Sequence, residues 1–363
     1  MTGVRPGPPG GAARTGRAAT LRARAAAAAL ALALATVVAG CGGDGAPGPD
    51  PDPASTEESD VAFTNPVYDG NLPDPFVLRA EGAWYAYGTQ GRLGTLPVLR
   101  SDDLVAWEVV GDGMPVLAPW TGAGRHWAPE VVELGGRYVA YYTAMERETQ
   151  QQCLGVAFAD HPAGPFVDES ATPFVCEHEE GGSIDASPFV DGDGTPHLLW
   201  KNDGNHVGVR SWIRVQQLSP DGSALVGEGP VDLITHDQPW EGHLVEGPTV
   251  VARDGRYHLL YSANDYGSAD YGVGWAVADA LTGPWTKPRD EPLMRSSPEA
   301  AGPGHGCVVT ADDGATWYVH HAWPPDAVGS TYPGRQVWLT PLDWDPDGAP
   351  VLDGPAVAVG RHP

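Results

Sequence analysis

Two lysines, Lys201 and Lys287, are all that this chain of 363 residues contains, against 47 acidic residues and a formal charge of −26. So acidic a surface repels phosphate backbones, which argues against nucleic acid or other polyanions as partners and leaves a neutral ligand compatible. Cysteine is nearly as scarce, with four residues and no Cys-x-x-Cys or His/Cys cluster of the spacing that zinc sites use. The apolar run from Ala25 to Gly40 has 16 residues, short of the roughly 20 that a spanning helix needs. Helix-period patterns are sparse beyond residue 61, which disfavours helical and α/β folds. What the chain has in quantity is glycine (48), proline (36), tryptophan (13) and tyrosine (12). That composition suits many short strands joined by tight turns, an all-β fold.

The first 41 residues stand apart. Arg5, Arg14, Arg17, Arg22 and Arg24 precede the apolar run, and no acid occurs before residue 41, so the remainder is five charges more negative than the whole. A basic segment, a short apolar segment and small residues at the junction describe an export signal. The junction "VVAGC" resembles a bacterial lipobox, which implies lipidation of Cys41 and contact with a membrane only through that anchor. Residues 42–60 are rich in Gly, Pro and acid without apolar periodicity, and read as a flexible linker. Residues 61–363 form the expected exported domain, at the cell surface or secreted. In an oxidising compartment Cys153 and Cys176 can pair around a loop of about twenty residues, contributing on the order of 3 kcal/mol. Cys307, inside an apolar "CVV", reads as a buried thiol.

One shape recurs five times, in "DPFVLRAEGAWYAYGT" (74–89), "PEVVELGGRYVAYYTA" (129–144), "DASPFVDGDGTPHLLW" (185–200), "EGPTVVARDGRYHLLY" (246–261) and "HGCVVTADDGATWYVHHAW" (305–323). Each has a polar residue, a small or Pro-containing bend, a β-branched run, a Gly turn and an aromatic-aliphatic run, which describes a hairpin. Aligned on the polar residue, the copies begin at Asp74, Glu130, Asp185, Glu246 and His305. A period near sixty, with a further strand pair after most hairpins, predicts a radial repeat of about four strands per unit, a five-bladed β-propeller. Residues 61–67 are placed to close the last blade.

The innermost strand of each propeller blade lines the central axis, so Asp74, Asp185 and Glu246 are expected to converge. Clustered carboxylates are costly unless they bind a cation or divide protonation states between them. Division of labour suits glycoside hydrolysis, where one carboxylic acid protonates the leaving oxygen and an ionised partner activates water. Spacing alone leaves a calcium site or a structural cluster open.

The ordered motifs "NLPDPFVL", "HWAPEVVELGGRYVAYYTA", "GGSIDASPFVDGDG", "LVEGPTVVARDGRYHLLYSAND", "GPGHG" and "GRQVWLTPLDWDPDGAP" resemble glycoside hydrolase family 43 over nearly all of residues 61–363. The resemblance implies a five-bladed propeller and inverting hydrolysis of arabinose- or xylose-containing saccharides, with no cofactor beyond a structural calcium ion. It assigns Asp74 as general base, Asp185 as the residue that tunes and orients the donor, and Glu246 as general acid. Trp127 falls where an aromatic can stack on the sugar, and Arg335 where an arginine contacts the acids or the sugar. His305 matches an axial histidine that in the family helps hold calcium or ordered water. Glu130 receives no role. Ala186 stands where proline commonly follows the tuning aspartate, and Cys307 also departs from the pattern. A retaining enzyme of the invertase type would need an Asp-Pro-Asn-Gly nucleophile motif, whereas this chain has Asp74-Pro75-Phe76; a sialidase would need an arginine triad. A surface lectin would tolerate loss of an acid, and all three are present.

Overall fold

A computed structural model describes residues 61–363, so the expected signal segment, the expected linker and Cys41 lie outside the described residues. The described chain forms five antiparallel sheets around a common axis. A short strand β1 (Phe63–Thr64) precedes blade one, which consists of β2 (Phe76–Ala80), β3 (Ala83–Tyr87), β4 (Pro97–Ser101) and β5 (Glu108–Asp112). Blade two is β6 (Trp127–Leu134), β7 (Arg137–Met145) and β8 (Gln152–Ala159). Blade three is β9 (Ser183–Val190), β10 (Pro196–Asn202), β11 (Trp212–Gln217) and β12 (Val231–Thr235). Blade four is β13 (Val245–Arg253), β14 (Arg256–Ala263) and β15 (Gly272–Ala278). Blade five is β16 (Ala301–Thr310), β17 (Thr316–Trp323), β18 (Gln336–Trp344) and β19 (Pro350–Leu352), followed by β20 (Ala358–Val359).

Blades two and four depart from the expected four strands. Their outer edge shrinks to isolated bridges, Leu154 with Val175 and Phe158 with Val167 in blade two, and Val273 with Met294 and Val277 with Thr286 in blade four. The connecting segments "DHPAGPFVD" and "DALTGPWTK" carry glycine and proline where a ladder would need donors, and proline has none to give.

Each blade is buried on both faces, because its neighbours pack against it on either side. One cluster, around Tyr85, Tyr87, Val131 and Ala140, fills the space between blades one and two. Others join Val139 to Leu198 and Trp200, Leu199 to Leu259, Leu260 to Tyr318, and Trp84 to Val319 and Leu339, so that an apolar wedge occupies every gap in the ring. Two-sided burial explains why β3 and β15 are buried at every position.

The ring closes through the N-terminal segment. β1 pairs with β20, and Tyr68 exchanges backbone hydrogen bonds with Val337 of β18. The Asn65 side chain donates to the Leu339 carbonyl and accepts from the Leu339 N–H, both at 2.9 Å. Residues 62–68 thus complete blade five. Cys153 of β8 is disulfide-bonded to Cys176, on the path into β9, with Cα atoms 4.8 Å apart. Glu146 and His178 lie beside this pair, but the two sulfurs are spent on each other. Cys307 is a buried free thiol.

Candidate active site

Four of the inner strands share one break in their pairing, with two residues facing one; β16 carries a second, at Gly302-Pro303, outside this shared set. The unpaired residues are Ala128-Pro129 opposite Tyr142, Asp185-Ala186 opposite Trp200, Gly247-Pro248 opposite Tyr261, and His305-Gly306 opposite His320. Asp74-Pro75 holds the same place just before β2, where the Thr89 N–H donates to the Pro73 carbonyl. The first residue of each pair has left-handed backbone, with φ of 54° at Asp74, 42° at Ala128, 59° at Asp185, 53° at Gly247 and 42° at His305. A bulge of this kind bends the strand and re-aims its side chains, here toward the axis. For a residue other than glycine the conformation costs about 1–3 kcal/mol; aspartate tolerates it better than most. Gly247 meets a second constraint, since a Cβ there would lie 3.0 Å from the His305 ring.

The bulges correct the repeat register expected from the sequence. The equivalent positions are Asp74, Ala128, Asp185, Gly247 and His305, rather than Asp74, Glu130, Asp185, Glu246 and His305. Glu246 sits one residue earlier, at the level of Trp127 and Ile184. Glu130 sits two residues later, level with Phe76, Ser187, Thr249 and Cys307. It is buried and held toward its neutral form by that burial, with the Asp185 charge adding to the effect and a Ser187 hydrogen bond opposing it.

Asp74 is held ionised. Its Oδ1 accepts from Arg335 Nη1 at 2.6 Å and lies 3.4 Å from Nδ1 of both His305 and His321, while Oδ2 accepts from the Thr89 hydroxyl at 2.5 Å. Burial alone would raise its pKa, but Arg335 foremost, with the histidines and Thr89, outweighs burial and holds the carboxyl well below the usual range. His321 contributes little positive charge, because burial keeps its imidazole neutral and its Nδ1 accepts the Asp74 N–H at 3.2 Å. Arg335 is therefore the cation that matters. It is locked in turn from two sides: its own N–H donates to Asn71 Oδ1 at 2.9 Å, and its guanidinium stands 4.8 Å from the ring of Tyr266 in the β14–β15 connection of blade four.

Asp185 and Glu246 lean the other way. Burial raises both, and nearby negative charge adds to it, from Asp74 on Asp185 and from Asp185 on Glu246. Lys201 and His305 offset these effects without cancelling them. Asp185 Oδ2 accepts the Gly247 N–H at 3.0 Å, so the carboxylate of one blade fixes the bend that follows Glu246. Glu246 Oε1 accepts from the Tyr271 hydroxyl at 2.8 Å, and Oε2 lies 3.5 Å from Lys201 Nζ. The structure therefore brings together one carboxylate that favours charge and a pair that favours retaining a proton.

These groups open into a cavity of about 500 Å³ whose walls include Trp127, Tyr266, Arg335 and His305 as well as the three acids. All the expected site residues of the propeller thus converge. Asp185, Glu246 and His305 offer ligand-type atoms within 4.8 Å of one another. Calcium takes six to eight oxygen ligands, whereas this set supplies two carboxylates and an imidazole nitrogen, and one of the carboxylates already faces an ammonium. The donor set does not fit calcium, and no step below is routed through a metal.

Sequence reasoning missed Thr89, His321, Tyr271 and Lys201. The first two lie on or after the second strand of a hairpin, where the pattern reads as core. Tyr271 lies in a loop with no motif. Lys201 left a signal, a lysine ending the buried run "HLLWK" in a chain with two lysines.

Similar proteins support this architecture. A "Putative beta-xylosidase" of Xylanibacter ruminicola is 27% identical, over 80% of this chain and 50% of that protein. An "Extracellular endo-alpha-(1->5)-L-arabinanase 2" of Bacillus subtilis (strain 168) is 24% identical, over 66% of this chain and 55% of its own length. The chain spans about half the length of these two curated relatives. The crystal structure of a thermostable family-43 glycoside hydrolase superposes with a TM-score of 0.74 at 32% identity, covering 83% of this chain and 99% of that one. The family profile of glycosyl hydrolases family 43 matches residues 63–350, and the chain belongs to that family.

Proposed function

We propose that this protein is an inverting glycoside hydrolase acting on arabinose- or xylose-containing saccharides. The observation that carries the reading is the opposite electrostatic bias of its acids, Asp74 pushed down and Glu246 pushed up within one cavity. Ionised Asp74 takes a proton from the attacking water, and neutral Glu246 gives its proton to the leaving oxygen, so the anomeric centre inverts. Tyr271 donates to Oε1 of Glu246 at 2.8 Å, whereas Lys201 stands off Oε2 at 3.5 Å, so the more weakly held Oε2 is assigned the proton. Asp185 holds the donor through the Gly247 N–H and discourages its ionisation. Trp127 supplies an apolar face for the sugar ring, and Arg335 keeps Asp74 charged while bordering the same space. The sugar class follows from relatives named as a xylosidase and an arabinanase. The segment before residue 42 supports export with lipidation at Cys41, and Cys153–Cys176 suits an oxidising compartment.

The test is sugar release from aryl arabinofuranoside, aryl xyloside and arabinan by the wild type and by Glu246→Gln. Loss of the proton donor costs about 10² to 10⁴-fold on substrates with poor leaving groups. Glycan binding without release by either protein would refute the hydrolase and favour a lectin.

A further inference from the structure

Lys201 is buried to 1% exposure, yet it borders the axial cavity. Its place follows from the β9 bulge: Trp200 faces the two unpaired residues, so Lys201 is the first regular pair beyond them, across from Ile184. An ammonium has three donors and no acceptor capacity. The partners of this one are Asp203 Oδ1 at 3.4 Å and Glu246 Oε2 at 3.5 Å, both long for a charged hydrogen bond. A buried cation is thus divided between two carboxylates, one of them the proposed proton donor, at the oxygen assigned its proton. The other groups facing Glu246 are Asp185 from β9, His305 from β16 and the neutral Tyr271 hydroxyl.

We propose that Lys201 and Asp203 form a positioning pair for the donor: the ammonium steadies the charge left on Oε2 as the proton departs, and Asp203 limits how much of that positive charge Glu246 receives. This rests on Glu246 being the proton donor. The pair makes predictions of opposite sign. Without Lys201, the Glu246 carboxyl loses a cation and keeps its proton to higher pH. Without the Asp203 charge, Lys201 serves Glu246 alone and the proton leaves at lower pH. A residue that merely fills space would not move the two in opposite directions.

The experiment is the pH dependence of kcat/KM for the full chain, Lys201→Met and Asp203→Asn, on an arabino- or xylo-oligosaccharide. The alkaline limb should rise by about 1–3 pH units in Lys201→Met, the shift typical of losing an opposite charge at this range, and fall in Asp203→Asn. On an aryl glycoside whose leaving group needs no proton, the alkaline limb should flatten in all three proteins. Alkaline limbs that coincide, or that move the same way in both variants, would overturn the proposal. Should Lys201→Met fail to fold, the downward shift of Asp203→Asn decides alone. A wild type inactive on every substrate would overturn the hydrolase reading and this inference with it, whereas an active wild type with unmoved limbs overturns only this inference.

Discussion

Replacing Arg335 by methionine isolates what keeps Asp74 ionised. The guanidinium donates to Asp74 Oδ1 at 2.6 Å, both side chains are nearly buried, and the neighbouring His321 is neutral. Losing an opposite charge at that range raises a carboxyl pKa by about 1–3 units, or about 1.4–4 kcal/mol of preference for the charged form. Two readouts follow. The acid limb of kcat/KM, set by Asp74, should lie higher in Arg335→Met than in the wild type by that amount. The second readout is stability. Because Asp74 has a depressed pKa in the folded protein, its contribution is complete above the unfolded value of about 3.8 and is lost as pH falls toward the folded value. The wild type should therefore melt above the variant by a constant margin from pH 5 to 7. That margin should narrow by about 1.4 kcal/mol per pH unit once the pH falls below the raised folded pKa of Asp74 in the variant, roughly 3 °C per unit in a domain of this size. Loss of the guanidinium contact with Tyr266 also destabilises the variant, but by an amount that does not depend on pH. An unmoved acid limb together with a pH-independent melting gap would refute the reasoning.

The remaining predictions concern the other groups around the axis. Asp185→Asn should melt higher than the wild type at pH 8 and lose that advantage at pH 4, because the folded state raises the Asp185 pKa and so disfavours its charge; calorimetry at the two pH values checks the sign. The same variant should lower kcat, since the donor loses the charge that discourages its ionisation. Trp127→Ala should raise KM about ten-fold, the loss of a single aromatic contact worth roughly 1.5 kcal/mol, with a smaller change in kcat. Chelation with EDTA should leave kcat within two-fold (about 0.4 kcal/mol) of the untreated enzyme, as the donor set around His305 does not suit calcium; loss of activity restored by added calcium would contradict this.

The blades were legible because a hairpin announces itself locally, in the Gly turn and the apolar strands either side of it. The bulges were less so. The first unpaired residue is Asp, Ala, Asp, Gly and His in the five copies, so residue type does not reveal the shared backbone conformation. Aligning the copies on the nearest acid therefore displaced Glu130 by two positions and Glu246 by one. Convergence survived the error, because a bulge presents both its first residue and the one before it to the cavity. Asp74, Asp185 and Glu246 were found by their motifs, whereas Thr89, His321 and Tyr271 act on them across 15, 247 and 25 residues of chain. Thr89 and Tyr271 reach their acids from later in the same blade and His321 from the neighbouring one, and no local motif spells out any of the three.

The left-handed residue at each bulge restricts the vocabulary from which this axis can be written. Its side chain has been released from the ladder, so exchanging it breaks no strand pairing, yet only glycine, aspartate, asparagine and histidine occupy that backbone readily. A change of chemistry at positions 74, 185 or 305 must therefore be drawn from that handful, and Ala128 is the one copy written outside it, in a conformation that costs alanine about 1–2 kcal/mol. Position 246 escapes the restriction because it stands one residue earlier, on ordinary extended backbone. That freedom accommodates glutamate, whose longer side chain reaches into the cavity from a rung that tryptophan and isoleucine also occupy in other blades.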